Sequence, residues 1–167
     1  MQLQTVNILN LLADKNRWTA CFICSLVRSF IARLQRAQHA LARVVLLLQE
    51  RSRARSAPLM QQLHWLPIDW RIRFKLATLT YKALQTGRPS YLADLIHFHT
   101  TSKSTRSSST QLLFVPRHNL SFGSWAFRVS APKVWNTLPL YIRQSQSLST
   151  FRRHLKTHYF QLAYPAT

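Results

Sequence analysis

The chain has 167 residues, 47% of them hydrophobic, which suits one domain of average size with its own core. Its 23 Lys and Arg residues against 4 Asp and Glu give a formal net charge of +19, so an anionic partner is expected. The acidic residues are scattered along the chain, at Asp14, Glu50, Asp69 and Asp94. This spacing argues against the clustered carboxylates that two-metal hydrolases and polymerases use.

The N-terminal segment, residues 1–26, holds both cysteines, Cys21 and Cys24, inside an apolar run. Two cysteines are too few for a disulfide framework and favour a reducing, intracellular compartment. The apolar run lacks a small-residue cleavage site and therefore does not predict a signal peptide. No apolar stretch approaches the roughly 18 residues of a membrane span, so no membrane partner is expected.

Residues 27–49 are predicted to form a basic amphipathic helix. A stripe steps along it by three or four residues, through Val27, Ile31, Leu34, Gln38, Leu41, Val45 and Leu48. The basic residues lie off this stripe, at Arg28, Arg33, Arg36 and Arg43. A solvated polar face over a buried apolar face is favoured over a specific site, although these arginines remain candidates for phosphate contacts.

Residues 50–58 are predicted to be a basic linker. They carry Arg51, Arg53 and Arg55, show no hydrophobic period and end at Pro58. A domain boundary is therefore expected here, with a single core in residues 59–167.

A second helix is predicted over residues 68–85, just after Pro67. Two interleaved apolar stripes indicate a well-buried helix, whereas Arg71, Lys75 and Lys82 share the remaining face. That basic ridge either contacts phosphate or is merely solvated. Gly87 is a candidate C-cap, and Pro89 is expected to open a short helix over residues 90–96.

The C-terminal third predicts loops, short strands and a last helix. Residues 97–111 are rich in hydroxyls and are expected to form an exposed loop. Residues 112–115 and 125–129 have strand-like composition and could form a hairpin. Helical turns are predicted after Ala131 and Pro139, and a final helix over residues 150–160, capped by Ser147 or Ser149. This helix carries Arg152, Arg153 and Lys156, and the predicted fold class is mainly α with a small β element.

No cofactor or metal is expected. Cys21-x-x-Cys24 lacks a second ligand pair at finger-like spacing, and His97-x-His99 has only Asp94 nearby, so core or surface roles are favoured. The two glycines, Gly87 and Gly123, are too far apart for a nucleophile elbow, a Walker loop or a dinucleotide-binding turn.

Arginines interleaved with aromatic residues are the remaining chemical signal. Of the 23 basic residues 17 are Arg, and five Trp, five Tyr and nine Phe lie among them. Guanidinium groups pair with phosphate oxygens, and exposed aromatic rings stack on unpaired bases, so RNA or DNA is the expected partner. The alternative is that most of the aromatic residues form the core, as the apolar surroundings of Phe74, Trp135 and Phe151 suggest.

From Leu34 onward, the chain resembles the C-terminal tail of LINE-type non-LTR retrotransposon polyproteins of the jockey-like reverse transcriptase group. The resemblance is carried by LQRAQHALARV at 34–44, LHWLPI at 63–68, Arg71, Ile72, Phe74 and Lys75, PSYLADL at 89–95, RSS at 106–108, VPR at 115–117, FG at 122–123, AF at 126–127, APKVWNTLP at 131–139 and FRRHLK at 151–156. Residues 1–26 fall outside it.

In that family an endonuclease and a polymerase domain precede the tail and carry out target-primed reverse transcription. The resemblance therefore implies a noncatalytic, degenerate remnant that binds RNA or DNA nonspecifically and could contact an upstream polymerase domain. The family's paired aspartates have no counterpart here, so no catalytic residue carries over. The alternative is a domesticated module that docks a protein partner through its apolar helices, and residual enzyme activity conflicts with the carboxylate count.

Overall fold

A computed structural model describes residues 27–46, 56–100, 111–117 and 121–165. Of these, 72% are helical, which confirms the predicted mainly α fold class. The β element of the described residues is an isolated antiparallel bridge between Phe98 and Leu113. Within the same ranges, no helix combines the length and apolarity that crossing a membrane requires.

The helices follow one another with short connections. They are α1 (27–46), α2 (Ser56–Gln62), α3 (Ile68–Thr86), α4 (Ser90–Ala93), a 3₁₀ helix (Ser121–Trp125), α5 (Phe127–Asn136), α6 (Leu140–Arg143) and α7 (Leu148–Ala163). The four-residue α4 and α6 are single turns opened by Pro89 and Pro139, as predicted. Helix α4 ends at Ala93 rather than at residue 96, and Ile96 beyond it is buried.

The antiparallel pair of α3 and α7 forms the centre of the fold. The rings of Tyr81 and Phe151 stack with centroids 4.4 Å apart, and Trp70 meets Tyr159 at 5.2 Å towards the other end of the pair. Both helices were predicted, and Phe151, Leu155 and Tyr159 form the buried face of α7. These side chains belong to the main core. Its buried residues are Leu66, Ala77, Tyr81, Leu113, Trp135, Leu138, Ile142, Phe151, Leu155 and Tyr159.

Local signals set the ends of these two helices as expected. Gly87 has a φ of 62° and its N–H donates to the Ala83 carbonyl, so it closes α3 in the left-handed region that glycine adopts freely. Ser147 caps α7, since its Oγ accepts a hydrogen bond from the Thr150 N–H at 3.2 Å. Sequence reasoning left Ser147 and Ser149 open, and the structure selects Ser147.

Helix α5 packs across the other side of α3 and corrects two predictions. Residues 125–129 were predicted as a strand, yet Trp125 ends the 3₁₀ helix and Val129 lies inside α5. The helix also starts before Ala131, where a turn was predicted. Burial of Val129, Ala131 and Trp135 in the helical conformation outweighs the weak strand propensity of this segment. Leu113 bridges Phe98 and does not pair with residues 125–129. The predicted hairpin is therefore absent among the described residues.

Helix α1 is present, but only part of its predicted core-facing stripe is buried: Gln38 is buried, Val27 and Ile31 are half-buried, and Leu48 lies outside the described residues. Ala42 is fully buried and Gln38 is 5% exposed, whereas Leu34, Leu41 and Val45 are all exposed. The buried side is fixed by polar contacts: Gln38 Nε2 donates to the Leu66 carbonyl at 2.9 Å, and Gln35 Oε1 accepts from the Ile68 N–H at 2.8 Å. Two glutamines, Gln38 of the predicted stripe and Gln35 beside it, therefore anchor α1, and the leucines of that stripe do not.

The predicted linker and loop are partly described. Residues 56–58, assigned to the linker, form the first turn of α2, where Pro58 is tolerated because its missing N–H would have no partner there. Residues 50–55 lie outside the described residues. Of the predicted loop, residues 97–100 run beside residues 111–114, with His99 N–H donating to the Leu112 carbonyl at 2.8 Å. Residues 101–110 lie outside the described residues.

Candidate nucleic-acid interface

One open cleft, here called the α3–α7 cleft, brings together basic residues predicted separately on α3 and α7. It has a volume of about 270 Å³. It is lined by His64, Trp65, Leu66, Arg71, Phe74 and Lys156. Arg71 and Lys156 are both exposed, and no carboxylate is among these lining residues. Two cations beside two aromatic rings can hold a phosphate and contact a base or sugar next to it.

Arg71 is held at the rim of the cleft by the backbone of the preceding turn. Its Nε donates to the Leu66 carbonyl at 3.0 Å, and the same carbonyl accepts from Gln38 on α1. Pro67 forces this turn, because the residue before a proline is disfavoured in helix and the proline itself suits the start of α3. The guanidinium is thereby positioned without an acidic partner in the cleft lining.

The end of α7 closes the same region. Tyr164 Oη donates to the Trp65 carbonyl at 2.9 Å, which ties the last turn of α7 to the cleft wall. Burial raises the pKa of Tyr164, and the positive charge of Arg71 opposes that shift. The phenol therefore stays neutral at physiological pH and acts as a hydrogen-bond donor.

His64 adopts a strained backbone conformation at the mouth of the cleft. Its φ is 54°, in the left-handed region that non-glycine residues rarely occupy. The ring stacks on Phe160 of α7, with centroids 5.6 Å apart and planes 14° apart. A strained residue fixed by a ring contact is a typical feature of a binding site. Sequence reasoning assigned neither His64 nor Trp65 to the site, since both were counted as part of an apolar block.

The cations next along α3 and α7 extend the basic surface beyond the cleft. Lys75 and Lys82 follow Arg71 by one and three turns on the same side of α3, and both are exposed. On α7, Arg152 precedes Lys156 by one turn. Lys82 directly follows Tyr81, and Arg152 directly follows Phe151, whose ring stacks on that of Tyr81. The basic residues of α3 and those of α7 therefore run along the same pair of helices. Arg153 is exposed as well, on the outer face of α7.

The other candidate cations are outside the cleft lining. The α1 arginines are exposed, and Arg33 lies over the Phe30 ring at 6.0 Å. The four are Arg28, Arg33, Arg36 and Arg43. The linker arginines, Arg51, Arg53 and Arg55, lie outside the described residues, as do Cys21 and Cys24.

A larger groove of about 520 Å³ runs between α3 and α5. It is lined by Asp69, Ile72, Arg73, Leu76, Ser124, Trp125, Ser130, Lys133, Val134 and Thr137. Its carboxylate, Asp69, offsets part of the positive charge of Arg73 and Lys133. The smaller α3–α7 cleft therefore suits a polyanion better, despite its size.

The described residues contain no candidate metal site. No group of three or more His, Cys, Asp or Glu side chains lies close enough there to hold an ion. His97 and His99 are exposed on the extended segment, and Asp94 lines a small cavity with His97 and Arg128.

The comparisons with known proteins found no match: no protein-family model, no curated protein and no solved structure is significantly similar to the chain.

Proposed function

We propose that the chain is a noncatalytic nucleic-acid-binding domain, a remnant of the C-terminal tail of a LINE-type reverse transcriptase polyprotein. It binds RNA or DNA through phosphates and does not read sequence. The observation that carries the binding proposal is the α3–α7 cleft, where Arg71 and Lys156 lie beside Trp65 in a lining without carboxylates. The retrotransposon origin rests on the sequence motifs alone.

The chemistry of the cleft favours backbone contacts over base recognition. Arg71 and Lys156 supply positive charge, and Trp65 and His64 supply ring faces, which every base can stack on. The amide groups that read adenine and the carboxylates that read cytosine are absent from the lining, and Arg71 is already engaged through its Nε with the Leu66 carbonyl, so its charge is expected to serve phosphate. Binding should therefore be tight at low salt and tolerant of sequence.

A titration of a fluorescently labelled single-stranded RNA of mixed sequence tests this proposal. We expect R71A/K156A to bind about tenfold more weakly near physiological ionic strength, because two phosphate contacts are lost. The matched control is R117A/R128A, which removes the same charge from exposed positions outside the cleft. Equal losses in both double variants would show that net charge, rather than the cleft, holds the nucleic acid.

A further inference from the structure

Helix α1 leaves a continuous apolar stripe on its exposed side. Phe30, Leu34, Leu41, Val44 and Val45 are each between 47% and 63% exposed. The helix is fixed to the domain along the adjoining side, where Gln38 and Ala42 are buried. From Phe30 to Val45 the stripe extends for about 22 Å along the helix, and it is a larger exposed apolar patch than the isolated apolar residues of a typical surface.

The spacing of the stripe is that of a helix-packing seam. Leu34 follows Val27 by seven residues and Leu41 follows Leu34 by seven, while Phe30 and Val44 occupy the intermediate positions three residues on. Such a repeat presents side chains that insert between those of a second helix lying alongside. A helical occupant is therefore favoured over an extended peptide, which has a two-residue period.

The charges beside the stripe select the occupant. At 100° per residue, Arg33 flanks the stripe on its solvent side, Arg36 and Arg43 lie further round the helix, and the body of the domain lies on the other flank of the stripe. The described part of α1 contains no Asp or Glu. A second copy of the chain is disfavoured, because each copy carries a net charge of +19. A helix with an apolar face flanked by Asp and Glu is complementary in both respects.

We propose that α1 is a docking surface for an acidic amphipathic helix of a partner protein. The partner helix lies along Phe30, Leu34, Leu41 and Val45, and its carboxylates lie on the side of Arg33. This surface is separate from the α3–α7 cleft, so the proposal does not depend on the nucleic-acid proposal.

The probe is a labelled synthetic peptide of about three heptads with Leu at positions a and d and Glu at positions e and g. Binding to the full chain is followed by fluorescence anisotropy near 0.15 M salt, about physiological ionic strength. Two control peptides carry Lys at e and g, or Ser at a and d. We expect the Leu/Glu peptide to bind about tenfold or more tightly than either control, because apolar and charged contacts are both required.

Variants locate the contact. L34S/L41S should weaken binding of the Leu/Glu peptide about tenfold, whereas Y91S/Y141S, at similarly exposed positions outside α1, should not. R33E/R36E should reverse the preference towards the Lys-flanked peptide. R71A/K156A should leave peptide binding unchanged, which separates this proposal from the cleft. Circular dichroism of each variant reports whether the helices are retained, and R33E/R36E keeps the test decisive if L34S/L41S unfolds.

Other outcomes would overturn the proposal. Equal binding of the Leu/Glu and Ser/Glu peptides would show attraction by net charge alone. Self-association of the wild-type chain that L34S/L41S abolishes in sedimentation would assign the stripe to a second copy. Binding to anionic lipid vesicles that depends on Leu34 and Leu41, with no peptide preference, would assign it to a membrane surface.

Discussion

Trp135 lies in the main core with 3% of its surface exposed. Its indole Nε1 donates to the Gln111 carbonyl at 3.2 Å, and its ring lies near Phe151 with centroids 6.1 Å apart. The surrounding residues and two flanking prolines predicted this burial from sequence. The hydrogen-bond partner could not be predicted, because it lies 24 residues away in a segment without periodicity.

Replacing Trp135 with Ala should lower the free energy of unfolding by about 3 to 5 kcal/mol, the usual cost of removing a large buried aromatic side chain. Chemical denaturation measures this loss. Trp125→Ala is the matched control, since Trp125 is 46% exposed, and it should change stability by much less. If W135A instead kept its melting temperature and lost single-strand affinity, Trp135 would be a stacking residue.

Tyr159 makes stability sensitive to alkaline pH. Burial raises the pKa of Tyr159 to about 12, and the charge of Arg73 opposes the shift only in part. The neutral phenol is favoured in the folded chain, so its contribution to stability is complete below pH 10, the ordinary pKa of tyrosine, and is lost as pH rises towards 12.

We therefore expect the wild-type chain to lose more stability than Tyr159→Phe between pH 9 and about 11.5 in urea denaturation. Tyr91→Phe, at a 68% exposed position, should follow the wild-type curve. Parallel curves for wild type and Y159F would contradict the assignment of this alkaline loss to Tyr159.

At the scale of single elements, strong periodicity predicted helices and tertiary packing decided their faces. Helix α3 and helix α7 were predicted within a few residues, because their apolar steps, Gly87 and Ser147 agree with one another. The buried face of helix α1 was predicted only in part, since the hydrogen bonds that join Gln35 and Gln38 to residues 66–68 are long-range contacts. No local pattern shows that Gln38, rather than Leu34 or Leu41 of the same stripe, is the residue that becomes buried.

The cleft was predictable only in its parts. Arg71 and Lys156 were predicted as phosphate contacts on two helices, but their meeting depends on the antiparallel pairing of α3 and α7. His64 and Trp65 were missed because the strained turn before Pro67 has no sequence signature beyond the proline itself.

The cap of α7 gives a test at this scale. Ser147→Ala should destabilise the chain by about 0.5 to 2 kcal/mol, because the Thr150 N–H loses its acceptor at the start of the helix. Ser149→Ala removes a neighbouring hydroxyl that does not cap the helix and should cost less. Thermal unfolding compares them, and an equal or larger loss for S149A would contradict the assignment of Ser147 as the cap.

At the scale of the whole molecule, the chain has many basic residues and few of the acidic residues that phosphoryl transfer needs. Two-metal chemistry needs clustered carboxylates, and the described residues contain only Asp69 and Asp94, on α3 and at the end of α4. We expect the purified chain neither to extend a primer nor to nick DNA when Mg²⁺ or Mn²⁺ is supplied. Activity that D69N/D94N abolished would contradict the noncatalytic account.

The salt dependence of nucleic-acid binding tests the central claim most directly. Each phosphate neutralised on a single strand contributes about 0.7 to the slope of log affinity against log salt. If Arg71 and Lys156 each hold one phosphate, R71A/K156A should reduce the magnitude of the slope by about 1.4 relative to wild type, and equally for different RNA sequences, while R117A/R128A should leave it unchanged. An R71A/K156A slope equal to that of the wild-type chain would show that the α3–α7 cleft does not contact phosphate.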